Sequence, residues 1–444
     1  MDVIIVGAGI SGLTAARELS AAGVETTVIE ARDRIGGRIH TIHDERVAAP
    51  IELGAEFVHG DPPEILELAK LAGIEIVETQ GQSWYLNQRG DLVPTSEEPP
   101  GSDDKLWEIA ETYVKARRPD LSFEDFLRLP ETAGISDGEK EWARRFVSGF
   151  HAAELSKAGL YGLVKTQNAD DAINGMTSHR VLKGYSQLAE VLHLESEKTG
   201  TKYIFNNAVT AIDWHDDTIR VEACSADGQI ISYEASAVIV TLPVGVLKSD
   251  PDGPNFVRFS PEIKEKRSVL TRIEMGCARR VSLAFKEKWW TELLKDIVPS
   301  RSQLGFLFGQ NVPISVWWTN EPSDTAMLTG WAGGPKAIEM EKLDDDQFVD
   351  LAITSLCRIF SVGESMLEYQ FINGFTCDWH DDPFSMGAYS YMGTGGADAP
   401  NELAEPLSDR LYFAGEAASD GHWGTVHGAI ASGINSAREF LKSH

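Results

Sequence analysis

The segment Gly7-Ala8-Gly9-Ile10-Ser11-Gly12 constrains this chain more than any other. It has the form G-x-G-x-x-G and follows a continuous apolar run, Val3-Ile4-Ile5-Val6, which reads as a buried parallel strand. Apolar residues at Ile10, Leu13, Ala16 and Leu19 then give a helical stripe, Gly23 closes it, and Thr26 to Glu30 forms a second strand. A βαβ unit is thus complete in about 30 residues. Strand before, helix after, and Glu30 lying 18 residues beyond Gly12 make the glycines a dinucleotide fingerprint rather than a chance turn. Gly7 permits the tight turn, Gly9 lets backbone approach a pyrophosphate, and Gly12 lets the helix sit close to the sheet. The helix start, with Ser11 in its first turn, offers free N–H groups and a partial positive charge to phosphates. Glu30 can accept hydrogen bonds from an adenosine ribose and repels a 2′-phosphate.

Directly after Glu30 comes Ala31-Arg32-Asp33-Arg34-Ile35-Gly36-Gly37-Arg38. Two glycines between arginines indicate a second loop pressed on the same diphosphate, with Arg38 as a charge-assisted clamp. A plain NAD fold has no such loop so early. Near the C-terminus, Leu411-Tyr412-Phe413-Ala414-Gly415-Glu416 reads as a buried strand delivering a glutamate, and a helix begins soon after at Thr425-Val426. A helix N-terminus beside a flavin pyrimidine stabilises negative charge on the reduced ring.

Between these ends the pattern changes. Helical periodicity dominates from about Asp103 to Glu197, preceded by a loop-like stretch from Pro94 to Asp104. Strands return at Tyr203 to Ile212 and Thr218 to Cys224, with a hairpin turn at Asp227-Gly228 and a buried strand at Ala237 to Thr241. Arg280 to Phe285, Leu304 to Phe308, Ile314 to Thr319 and Ala326 to Trp331 read as an antiparallel sheet, followed by a helix from about Asp345 to Phe360. The 444 residues allow roughly two or three domains. The expected class is mixed α/β (α+β): a Rossmann-like domain from residues 1–80, 203–285 and 380–444, interleaved with a substrate domain from 81–202 and 286–379 whose helical part is 103–197.

Composition narrows the partners. With 40 basic and 68 acidic residues the net charge is −28, which argues against nucleic-acid backbones and anionic lipid. The acidic exterior confers solubility and can also concentrate cationic substrates. Four scattered cysteines form no zinc spacing or disulfide framework, which suits a reducing compartment. His422 and His427 lack carboxylate or cysteine partners at ligand spacing, so no metal site is expected. The longest uncharged apolar run, Ala235 to Leu247, is broken by Pro243 and too short to span a bilayer. Val3 to Val6 starts too early for a secretory n-region, so a cytoplasmic location is expected. Nothing in the sequence sets an oligomeric state.

These segments resemble the flavin-containing amine oxidases: monoamine oxidases, polyamine oxidases and the flavin-dependent histone lysine demethylase. The resemblance rests on Val3 to Arg38, on Glu52-Leu-Gly-Ala-Glu-Phe-Val-His-Gly60, on Ala237 to Leu247 and on Gly387 to the C-terminus, and covers nearly the whole length. It implies FAD as cofactor, held by Gly7, Gly9, Gly12, Glu30, Arg32, Gly37, Arg38, Val209 and Glu416, with Ser11, Gly415 and Val426 beside them. Members that bind flavin covalently use a cysteine just before a cage tyrosine; that position is Ala388, implying non-covalent FAD.

The resemblance also implies a substrate site. Trp379 and, ten residues later, Tyr389 match a segment that lays aromatic rings at the flavin face, where π faces attract an ammonium; core packing is the alternative for both. A second cage aromatic common in the family falls on Thr425, so the cage is either open there or completed by Trp423. Glu56 and His59 lie in a loop most like that of polyamine oxidases, where an acid holds a distal ammonium and a histidine binds an amine nitrogen. A solvated loop charge and a structural donor are the alternatives. The family lysine that holds a water at flavin N5 aligns with Arg280, which keeps the charge but does not titrate usefully, unless the alignment slips or Lys286 substitutes. The implied activity is oxidation of a primary or secondary amine, polyamine-like, to an imine by hydride transfer to N5, with O2 as acceptor giving hydrogen peroxide. A related oxidase or desaturase of a non-amine, and a flavin-binding scaffold without catalysis, are the competing readings.

Overall fold

The computed structural model describes residues 2–87, 89–95, 105–297 and 303–444; most of the loop-like stretch from Pro94 to Asp104 lies outside them. The fingerprint strand, Asp2–Val6, is the middle of a five-stranded parallel sheet ordered Lys202–Ile204, Glu25–Ile29, Asp2–Val6, Ala237–Val240, Leu411–Phe413. Val3 pairs with Ala237 and Val6 with Val240 on one side, and with Thr26 and Ile29 on the other. The run is apolar throughout because both faces are covered. Val3 and Ile5 point into a cluster with Leu13, Ala16, Leu188 and Ile430, from the helices Ile10–Ala21, Ser186–Lys198 and Val426–Ser443. Ile4 and Val6 point the opposite way, against Ile212, Val221 and Phe259 of a four-stranded sheet.

The expected strand from Tyr203 to Ile212 is two strands. Asn206 takes a left-handed φ of 58°, so Lys202–Ile204 joins the parallel sheet while Asn207–Asp213 turns into the four-stranded one. The expected hairpin turn is present, with Gly228 at φ 83° between Ile219–Ser225 and Ile230–Ala235.

A seven-stranded sheet carries the other half of the molecule, in the order Phe371–Asp378, Ala278–Phe285, Met327–Gly333, Val316–Thr319, Leu304–Phe308, Gln82–Leu86, Leu92–Pro94. It is antiparallel except where Leu304–Phe308 runs parallel to Gln82–Leu86. Ala278–Phe285 belongs here, as expected for Arg280 to Phe285 in an antiparallel sheet although the boundary at 285 grouped it with the dinucleotide segments, and is buried at all eight positions. Strand alternation is the reason: Val281, Leu283 and Phe285 enter the core of this sheet, which turns Arg280 to the opposite face. The expected helix Asp345–Phe360 covers that core, opened by a capping box between Asp344 and Gln347.

One strand interrupts the helical region. Ser178–Val181 pairs antiparallel with Phe57–His59 and with Ile76–Glu78, setting Arg180 opposite Phe57.

Candidate active site

A single cavity of 1220 Å³ runs from the glycine turn to the seven-stranded sheet. At its inner end the first helix starts at Gly9 without a side-chain cap, so its first-turn amides are left for a ligand. A Cβ on Gly9 would meet nothing within 4 Å, whereas one on Gly12 would lie 2.1 Å from the Gly7 carbonyl oxygen. One glycine opens space and the other seats the helix. Ser11 is 4% exposed, yet its hydroxyl has no partner among the described residues. Glu30 accepts from the Ala8 amide at 2.7 Å and the Arg32 amide at 2.9 Å, tying the two glycine loops together. Gly37, at φ 60°, lies so close that a Cβ there would be 3.3 Å from the Gly9 Cα. The unpartnered hydroxyl, the open glycine face and the two close loops fit a dinucleotide diphosphate. Val209 lines the same cavity beside a strand bulge, as do Gly415 and Val426, the first residue of the last helix.

Arg38, the expected clamp, and Arg32, the other expected arginine contact, have protein partners of their own. Arg38 donates to the Ala388 carbonyl at 2.8 Å and to Glu416 at 3.0 Å; Glu416 in turn accepts from the Ser390 hydroxyl at 2.6 Å and the Gly424 amide at 2.9 Å. The pair ties three distant segments around the cavity. Arg32 is directed to Asp382 and to the Ser385 hydroxyl.

The outer part is walled by aromatic rings. Tyr389 lies parallel to Trp331, with centroids 6.3 Å apart and planes within 12°. Both rings are anchored to the end of the helix Asp137–Gly149: Trp331 Nε1 donates to the Gly149 carbonyl at 3.1 Å and the Tyr389 hydroxyl to the Phe150 carbonyl at 2.5 Å. Helix C-terminal carbonyls lack partners within the helix, so the two rings satisfy them and are fixed by them. Burial pushes the Tyr389 phenol far up, keeping it a neutral donor. From Trp331 the wall continues through Trp318, Phe306 and Phe57, each ring within 6.4 Å of the next.

On sequence the second cage position was either open at Thr425 or completed by Trp423; the ring that lies parallel to Tyr389 is Trp331. Thr425 is the N-cap of the last helix, its hydroxyl accepting from the Gly428 amide at 3.0 Å and donating to the His422 carbonyl at 2.6 Å. Trp423 is 6% exposed and packs in the core beneath the parallel sheet while touching the cavity with one side. Trp379 lines the cavity but donates to the Leu53 carbonyl at 2.9 Å, and its ring edge would be 3.3 Å from a Cβ on Gly54. It buttresses the loop of Glu56. Alternation along the strand Met327–Gly333 was the available signal for Trp331, but it could not say which face met the cavity.

Glu56 lines the cavity and has three donors of its own in the protein. One carboxylate oxygen accepts from Arg180 and, at 3.0 Å, from Trp318 Nε1; the other accepts from Arg280 at 2.6 Å. Burial pushes its pKa up, but Arg180 and Arg280 outweigh that and hold it below the usual carboxylate range. Arg280 also donates to the Gly54 carbonyl at 2.8 Å and Arg180 to the Thr319 carbonyl at 2.8 Å. The trio carries one net positive charge; Arg280 is tied to the loop through two of its nitrogens, lines the cavity, and keeps an Nε donor with no partner among the described residues. Lys286 is elsewhere, donating to the Tyr369 carbonyl at the surface. His59 lines the cavity edge-on to Phe150, with Nδ1 3.4 Å from the Ser178 hydroxyl, and burial lowers its pKa to about 4. Among the described residues no cluster of three His, Cys, Asp or Glu could hold a metal, and no helix is long and apolar enough to cross a membrane.

The profile of the family described as flavin containing amine oxidoreductase matches residues 10–441. The chain belongs to that family. This amine oxidoreductase is 29% identical to polyamine oxidase 4 of Oryza sativa subsp. japonica, over 99% of this chain and 88% of the relative. It is 28% identical to lysine-specific histone demethylase 1 homolog 2 of the same plant, over 99% of this chain and 57% of that longer protein. Its fold is shared with putrescine oxidase solved with bound putrescine (TM-score 0.80, 20% identity, 99% of both chains). Cyclohexylamine oxidase from Brevibacterium oxydans is comparably similar (TM-score 0.79, 20% identity, 100% of this chain and 99% of that one). FAD is thus the cofactor of this amine oxidoreductase, and the glycine cradle is where its diphosphate fits.

Proposed function

We propose that the protein is an FAD-dependent amine oxidase that converts a primary or secondary amine to the imine. The observation that carries this reading is the parallel pair Trp331 and Tyr389, anchored to one helix end within the cavity that the glycine cradle opens. FAD supplies the hydride acceptor at N5, and dioxygen takes the two electrons onward as hydrogen peroxide. The chain's own part is to bind, orient and deprotonate. The rings flank the carbon bearing the amine and restrict its approach. Burial, and the net positive charge of Arg180, Glu56 and Arg280, disfavour the ammonium and favour the neutral amine whose lone pair assists hydride loss. Ala388, which offers only a backbone carbonyl to Arg38, supports non-covalent flavin.

A polyamine substrate is supported by the polyamine oxidases among the relatives. A second reading, a monoamine on an apolar body, is favoured by a specific observation: Glu56 already accepts from two arginines and a tryptophan within an aromatic wall. Anaerobic mixing of the holoenzyme with mono-, di- and polyamines, followed by flavin bleaching, tests both. Bleaching by spermidine-type amines but not by arylalkylamines selects the first, the reverse selects the second, and bleaching by neither rejects the amine reading. We place the protein in the cytoplasm, a reading supported by four cysteines that are all unpaired.

A further inference from the structure

An alkylammonium has an ordinary pKa near 10.4, so an amine reaches the cavity carrying a proton that must leave before the carbon–hydrogen bond is broken. Two glutamates that line the cavity are already engaged in the protein. Glu56 is held by Arg180, Arg280 and Trp318, and Glu416 by Arg38, Ser390 and Gly424.

A different pair of groups leads outward. His427, 4% exposed, lines the cavity on the first turn of the last helix, and its Nε2 lies 3.2 Å from Nδ1 of His422, with ring centroids 4.8 Å apart. His422 is half-buried and sits in the loop that reaches the surface at Asp420. The loop is fixed in place: Asp420 pairs with Lys165 at 2.5 Å, and the Thr166 hydroxyl donates to the Gly421 carbonyl at 2.9 Å. We propose that His427 and His422 form a proton exit from the amine-binding cavity to the surface, and this rests on the amine reading above.

The step balances without an electron changing hands. An N–H bond of the ammonium breaks and one forms on the imidazole of His427; a proton crosses from Nε2 of His427 to Nδ1 of His422; a proton leaves His422 for water beside Asp420. The net change is R–NH3+ to R–NH2 plus a solvent proton. The charged and titratable groups facing the pair are few. His59, which also lines the cavity, acts electrostatically on His427, and Glu64, from the helix Pro63–Ala72, and Asp420 act on His422. The helix Leu160–Ala172 contributes Lys165, paired with Asp420, and Asp170, which lines the cavity. Burial, His422 and His59 lower the pKa of His427 to about 3, and burial lowers that of His422 against the pull of Glu64 and Asp420. Both rings are thus neutral at rest, and a proton is passed on rather than kept.

The test needs no turnover. An amine with no hydrogen on its α-carbon, such as a tert-alkylamine, binds but cannot be oxidised, and its proton is followed in weakly buffered solution with a pH indicator by stopped flow. The holoenzyme should release one proton per amine bound at pH 7. His427→Gln and His422→Gln should slow that release ten-fold or more without changing its amplitude, Asp170→Asn should leave it fast, and added imidazole should restore part of the rate in His422→Gln. Because His422 is half-exposed, its variant keeps the test available if His427→Gln fails to fold. Release at the parental rate in His422→Gln overturns the exit, as does slow release in Asp170→Asn alone. Binding without release in the parent, seen by calorimetry, overturns it while leaving the amine reading intact; no binding of any amine is failure of the amine reading itself.

Discussion

Glu56 and Arg280 meet at 2.6 Å in a nearly buried pair: the Glu56 side chain is 5% and the Arg280 side chain 4% exposed. With Arg180 on the other oxygen, the acid exists to neutralise cations, and its removal leaves two guanidiniums stranded. Breaking a buried pair from one side costs about 3–5 kcal/mol. Glu56→Gln should therefore lower thermal stability by that order and slow the oxidation of monoamines and diamines alike. Melting curves and paired kcat/KM measurements check it. A loss confined to diamines would instead show that Glu56 meets the substrate.

Ser11 separates cofactor binding from folding. Its buried hydroxyl has no partner among the described residues, so its removal takes no hydrogen bond from them in the apoprotein. A hydrogen bond to a charged phosphate contributes about 1.5–3 kcal/mol. Ser11→Ala should raise the FAD dissociation constant about ten- to a hundred-fold and leave the melting temperature of the apoprotein unchanged, as flavin titration and calorimetry would show.

Trp331→Ala removes one ring of the parallel pair and frees the Gly149 carbonyl. Anaerobic flavin reduction by the best amine should slow about ten- to a hundred-fold, equivalent to about 1.4–2.8 kcal/mol of transition-state stabilisation. FAD should stay bound, since Trp331 lies at the substrate end. Loss of flavin from the purified variant would place the ring in cofactor binding instead.

Glu52 sets a pH dependence of stability. Burial raises its pKa from 4.5 to about 7, against the hydrogen bonds from Tyr185 and Thr41. The folded protein then holds a proton that the unfolded chain has lost, so this group's contribution is full below pH 4.5 and is lost as pH rises through 7. At 1.36 kcal/mol per unit the loss is about 3 kcal/mol. Glu52→Gln should flatten the stability profile between about pH 4.5 and 7 and melt no lower than the parent at pH 8. An unchanged slope in the variant would assign it to another group.

What the sequence determined by itself is the cofactor end. Gly7, Gly9, Gly12 and Glu30 fall within a single βαβ unit, so strand, turn, helix and acid are specified by neighbours in the chain, and their chemistry follows from local geometry. The helix Asp345–Phe360 and the hairpin at Gly228 were legible for the same reason. The substrate end was decided by tertiary structure alone. Arg180, Arg280 and Trp318 reach Glu56 from 124, 224 and 262 residues away, and Trp331, on the strand Met327–Gly333, meets Tyr389 from a segment distant in the chain. Periodicity gives the face of a strand, not what lies opposite it. The sequence could therefore name Glu56 as an acid near the flavin, but only the folded chain shows that its charge is already spent on two arginines.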